Sequence, residues 1–252
     1  VRDVESSKIM KTSPQVSQKI FLTADPALII GTKTTKPFNK KKCPTIGISL
    51  RYTCHHHHQR IIPFQFLPEK VRNKNIYTSQ YQNYLEKVTY ICDKIITVLK
   101  ADIVFLPMYY SPWETDITLA TSILSMMDNK KQAKIFKAQF SVFELWQEFQ
   151  NLDLFIGTPM HSTIFSTANL VPSFALYYEL KGLKYFKLIE QQKRSFCCND
   201  MLLTNGEKKL WKNIELLWLE RNQAHKELKR IIPRIKNQAV SNINYLPNFR
   251  EK

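Results

Sequence analysis

The chain has 252 residues, 44% of them hydrophobic, and a formal net charge of +16. That length can bury a full core as one large domain or two small ones, and that hydrophobic content excludes a disordered chain. No uncharged apolar run of about 18 residues occurs, so no membrane-spanning helix is expected.

The charge favours anionic partners: phosphorylated substrates, anionic glycans, an anionic membrane surface or nucleic acid. The lysines are scattered apart from Lys40–Lys42 and Lys208-Lys209, which equally fits a solvated Lys-rich surface. RNP-type, helix-turn-helix and zinc-finger patterns are lacking, so no specific nucleic-acid partner is expected. The five cysteines, Cys43, Cys54, Cys92, Cys197 and Cys198, are odd in number and form no CxxC pair. They point to a reduced, cytoplasmic setting.

In chain order, Ile20–Thr23 reads as a short strand, Lys33–Cys43 as a basic loop, Thr45–Leu50 as a strand and Arg51–Asn75 as irregular. Tyr77–Lys100 is predicted as a long helix, because Tyr81, Tyr84, Leu85, Val88, Ile91, Cys92, Ile95, Ile96 and Leu99 recur at helical spacing. Asp102–Leu106 reads as a strand ended by Pro107, Thr115–Met127 as a helix and Lys134–Ala138 as a weak strand. Ser141–Phe149 is a helix with Ser141 at the N-cap and Glu144 three positions on, a capping-box pattern. Asp153–Ile156 is a strand, Gly157-Thr158 a tight turn, Ile164, Phe165 and Ala168 the apolar side of a helix, and Val171–Leu176 the next strand. A short helix follows near Lys181–Ile189, then a long one over Glu207–Ile232, bent or ended at Pro233. Strands alternating with helices predict an α/β, Rossmann-like fold: a mostly parallel sheet with helices on both faces.

Only five glycines occur. Gly157 stands at a strand-to-helix turn, and Gly47 lies inside a strand. Neither a dinucleotide fingerprint nor a P-loop is present. The tract Cys54-His55-His56-His57-His58 offers metal-ligand side chains, but consecutive loop residues cannot all face one ion, so no structured metal site is expected.

The stretch Asp153–Lys181 resembles the polysaccharide pyruvyltransferase family through Ile156-Gly157-Thr158, His161-Ser162, Ile164-Phe165, Val171-Pro172, Ala175-Leu176, Tyr178 and Lys181. Further similar segments run in family order: Val1-Arg2-Asp3 with Glu5-Ser6-Ser7, Thr23-Ala24-Asp25-Pro26-Ala27, Ile46–Arg51, and Val104–Met108 with Asp116 after it. The resemblance implies one half of a two-domain, glycosyltransferase-B-like architecture. On that footing residues 1–40 lead in from an amino-terminal domain, and 41–252 form the carboxyl-terminal α/β domain of a longer protein.

The implied activity is transfer of pyruvate from phosphoenolpyruvate to a pair of glycan hydroxyls as a ketal, without metal or cofactor. The acceptor would be a glycan or a lipid-linked sugar, met in the cytoplasm or at the inner face of the membrane. The donor carries a phosphate and a carboxylate. Arg51, directly after a strand, can fork onto either. His161, in the first turn of a helix, can exchange the proton the reaction moves. Gly157, Thr158, Ser162 and Lys181 are the remaining donor-binding candidates, with Asp116 and Tyr178 in support. Asp25 before Pro26 reads as a turn residue. One position departs from the family: Pro159 stands where the family has Arg. A fold that has lost catalysis and serves as a basic binding module is therefore the competing expectation.

Overall fold

The computed structural model describes residues 2, 4–13, 20–30, 43–51, 79–110, 116–137 and 141–245. The tract His55–His58 and the rest of the segment after Arg51 lie outside the described residues.

Six strands form one sheet: β1 Thr45–Ser49, β2 Asp102–Phe105, β3 Ala133–Ile135, β4 Leu154–Gly157, β5 Ser173–Tyr177 and β6 Ser195–Cys197. Their order is β3-β2-β1-β4-β5-β6, and every neighbouring pair is parallel. The α/β, Rossmann-like class expected from the sequence is the class observed.

The two-residue period of the strands sorts their side chains between two cores. Ile46, Ile48, Ile103, Phe105, Leu154 and Ile156 pack beneath α2 Ser79–Leu99, α3 Asp116–Met126 and α8 Gly206–Leu219. Val104, Phe155 and Ala175 pack on the other face, beneath α4 Val142–Phe149, α5 Met160–Ala168, α6 Leu180–Leu188 and α9 Arg221–Val240. In α2, every residue picked out by helical spacing is buried. The Ser141 cap also forms, its Oγ accepting from the amides of Phe143 and Glu144.

Several expectations need correction. Ile20–Thr23 is not a strand. It has no partner in the sheet, and Thr23-Ala24-Asp25 bury themselves instead at the mouth of a 3₁₀ turn over Pro26–Ile29. Helix α1 Val4–Thr12, strand β6 and helix α7 Cys198–Leu202 were not predicted; all three are short. The terminal helix does not stop at Pro233. It breaks at Glu220 (φ −87°, ψ 5°) and then runs to Val240 with Pro233 inside. Pro233 is exposed, so the carbonyl one turn back can turn to water in place of the missing N–H. No helix among the described residues is long and apolar enough to cross a membrane.

Candidate functional site

The strand order reverses direction between β1 and β4. In open parallel sheets the crevice beyond the carboxyl ends of the strands at such a point is where ligands bind. The sequence-derived candidates Arg51, Thr158 and His161 lie just past these two strand ends. The amide of Thr158 donates to the Ser49 carbonyl at 2.8 Å, extending the β1–β4 ladder to the lip of the crevice.

Arg51 is held from two sides. Its guanidinium lies 4.5 Å from the centre of the Tyr109 ring, and its Nε is 3.6 Å from Asp116 Oδ1. Asp116 turns its other oxygen, Oδ2, back to the chain after β2, accepting from the amides of Met108 and Tyr109 at 2.9 Å each. Burial pushes the Asp116 carboxyl above its ordinary pKa, against the Met108 amide and the Arg51 charge, which pull it down. This ring of contacts aims Arg51 while leaving its side chain 27% exposed.

Three polar atoms at this edge are buried without a hydrogen-bond partner among the described residues: Ser49 Oγ, Arg51 Nε and Thr158 Oγ1. Buried polar groups normally find partners, so a cluster of orphans at one strand end marks where a polar ligand would complete the bonding.

Helix α5 opens at Pro159, whose φ of −67° and ψ of 129° make it the N-cap without a side-chain cap bond. The early amides of a helix have no intrahelical partner, and they carry the positive end of the dipole. His161 projects from this turn, 56% exposed, with Nε2 3.8 Å from Asp25 Oδ2. The same oxygen takes Arg2 Nη1 at 2.6 Å. Asp25 Oδ1 meanwhile accepts from the Ala27 amide at 3.1 Å and shapes the turn. Thus Asp25 is the turn residue that its sequence suggests, and it also joins His161 to Arg2.

Two candidates face inward. Ser162 is fully buried, its Oγ donating to the Pro159 carbonyl at 2.6 Å. A Cβ added to Gly157 would come 2.7 Å from Ser162 Oγ and 2.8 Å from Thr163 Cγ2. That glycine permits close packing of α5 on β4. Lys181 and Tyr178 sit one strand over, past β5. Lys181 Nζ is 2.7 Å from Glu179 Oε2 and 5.8 Å from the Tyr178 ring centre. Tyr109, Ser49 and the Arg2–Asp25 pair were not singled out as site residues. Their contacts join segments far apart in the chain, and the available signal was that Arg2, Asp25 and Ser49 stand in family-like segments.

No group of three or more metal-ligating side chains occurs among the described residues. Comparison with curated proteins finds no match. The family model for polysaccharide pyruvyl transferase matches residues 1–179, from the Arg2 segment through β1, β4 and α5 to the end of β5. With most of its length and the whole β1–β4 crevice inside that match, the chain belongs to the polysaccharide pyruvyl transferase family.

Proposed function

We propose that the β1–β4 crevice binds phosphoenolpyruvate and transfers its pyruvyl group to two hydroxyls of a glycan. The unpartnered hydroxyls Thr158 Oγ1 and Ser49 Oγ, with the partly exposed Arg51 guanidinium at the same switch point, carry this reading. They lie beside the open amides of α5, an arrangement suited to an anion bearing a phosphate and a carboxylate.

In the reaction the donor's methylene takes a proton and becomes a methyl group. One glycan hydroxyl adds to C2, the phosphate leaves C2, and the second hydroxyl closes the ketal. Two hydroxyl protons are released: one balances the proton taken up by carbon, and the other leaves with phosphate. In this reading His161 carries these protons, with the Asp25 carboxylate 3.8 Å from its Nε2.

Pro159 itself favours the second reading, a family fold that binds anions without catalysis. Calorimetric titration of phosphoenolpyruvate separates the two when joined to an assay for phosphate release with glycan acceptors. We expect saturable binding, weakened about 10- to 100-fold in Arg51→Ala, as the loss of a charge-assisted contact implies. Binding without release of phosphate would favour the degenerate module. No binding would overturn the donor assignment.

A further inference from the structure

A second concavity opens next to His161, between α5 and α6 and beneath α1, with a volume of about 400 Å³. Its floor is apolar, built from Met160, Ile164 and Leu188, and its polar wall carries Arg2, Lys181 and Lys184. Asp25 stands at its inner end, where the same carboxylate meets His161.

We propose that this groove holds the acceptor, and that the acceptor is an anionic saccharide, a sugar bearing a phosphate or a carboxylate. The proposal rests on the pyruvyl-transfer reading and names the substrate class for it. Charge is the first argument, since the lining carries three cations, Arg2, Lys181 and Lys184, and a single carboxylate, Asp25, which pairs with Arg2. Two of those cations are held by carboxylates that exchange readily. Lys181 pairs with Glu179, the two side chains being 46% and 51% exposed. Lys184 pairs with Glu5 at 3.2 Å, the two side chains being 24% and 54% exposed. Exposed pairs of this kind contribute little, so an incoming anion can take their place.

Shape is the second argument. The groove lies within the size range of small-ligand sites, and its apolar floor suits the C–H face of a pyranose. Position is the third. Donor contacts gather at Arg51 and Thr158, whereas the groove is lined by Met160, next to His161 in the chain, and by Asp25, whose Oδ2 is 3.8 Å from His161 Nε2, so a hydroxyl held at that end would lie near the proposed proton carrier.

The test is calorimetric titration with N-acetylglucosamine 1-phosphate, N-acetylglucosamine and inorganic phosphate. The wild type, Lys184→Ala and, as a control on the opposite sheet edge, Lys134→Ala are compared, each also titrated with phosphoenolpyruvate. We expect the sugar phosphate to bind about tenfold or more tightly than either the neutral sugar or phosphate. The groove variant should weaken it about tenfold, with phosphoenolpyruvate affinity and the control unchanged. Equal binding of the neutral sugar, equal binding of phosphate alone, or an unaffected groove variant would overturn the proposal. So would a groove variant that loses phosphoenolpyruvate in parallel, because the groove would then be part of the donor site. Sugar phosphate binding in the groove while the wild type ignores phosphoenolpyruvate would overturn the donor reading and leave the anionic-saccharide site standing.

Discussion

Each oxygen of Asp25 has its own partner, which makes the two roles of this residue separable. Oδ1 caps the Pro26–Ile29 turn, and Oδ2 faces Arg2 and His161. Asp25→Asn keeps an oxygen for the Ala27 amide and removes the charge from the other side. The expected outcome is a folded protein with kcat for pyruvyl transfer about 10- to 100-fold lower, the worth of one lost charge-assisted contact. His161→Ala should cost more, about 10²- to 10⁴-fold, if His161 carries the proton as proposed. Steady-state kinetics on both variants, with circular dichroism as a folding control, checks the pair. If Asp25→Asn retains full kcat, the carboxylate shapes only the turn.

At the scale of elements, α5 matters because it presents His161, and its seat depends on Gly157. A methyl group there would press on the Phe155 ring of β4 and on Ser162 Oγ and Thr163 Cγ2 of the helix, all belonging to buried residues. Gly157→Ala should therefore destabilise by about 1–3 kcal/mol in urea denaturation, the range for overpacking a tight core. The helix would also shift away from β4, so catalysis should fall with stability. Elements whose information is local were legible in the sequence. The apolar spacing of α2 predicted its buried face residue by residue, and Ser141 with Glu144 announced the start of α4. Strand β6 was not legible, because three half-buried residues at a sheet edge show no period. Nor was the break at Glu220, which neither glycine nor proline marks, whereas Pro233 suggested an end that an exposed position makes unnecessary.

Across the whole molecule, residues beyond the family match brace the site. Asn242 Nδ2 donates to the Ala24 carbonyl at 2.9 Å, next to Asp25. Lys236 Nζ donates to the Ala168 carbonyl at 3.0 Å, and His225 Nδ1 lies 2.8 Å from the Leu170 carbonyl, so α9 satisfies the carboxyl end of α5. Helix α9 is tied in turn to the sheet edge through Arg194, whose side chain is 3% exposed and whose Nη1 meets Glu227 Oε2 at 2.7 Å. Burial raises the Glu227 carboxyl, but hydrogen bonds from Gln191 and Gln223 and the Arg194 charge outweigh it and hold the pKa below the ordinary value of 4.5. A carboxyl depressed by folding adds stability above its unfolded pKa, and that stability is lost as pH falls through the folded one. Glu227→Gln should thus cost about 1.5–3 kcal/mol at neutral pH, the worth of a hydrogen bond to a charged group, because buried Arg194 keeps only its longer 3.7 Å contact with Glu220 Oε2. The gap from wild type should narrow below about pH 4.5. Urea denaturation across pH 3–7 (approximately the span in which carboxylates titrate) gives the curve, and a gap independent of pH would refute the ion-pair account.

What the sequence determined by itself was the α/β class, the long helix α2, the strand end that carries Arg51 and the helix start that carries His161. Periodicity and turn chemistry act over a few residues, and a few residues suffice to read them. What only the tertiary structure decided was the strand order and the meeting of Arg2, Asp25 and His161 on one carboxylate. It also decided the facing of Arg51 by Asp116 and Tyr109, and the groove between α5 and α6. Those depend on which distant segments pair and pack, and such pairing is set by the burial of whole faces, which no local pattern in the chain records.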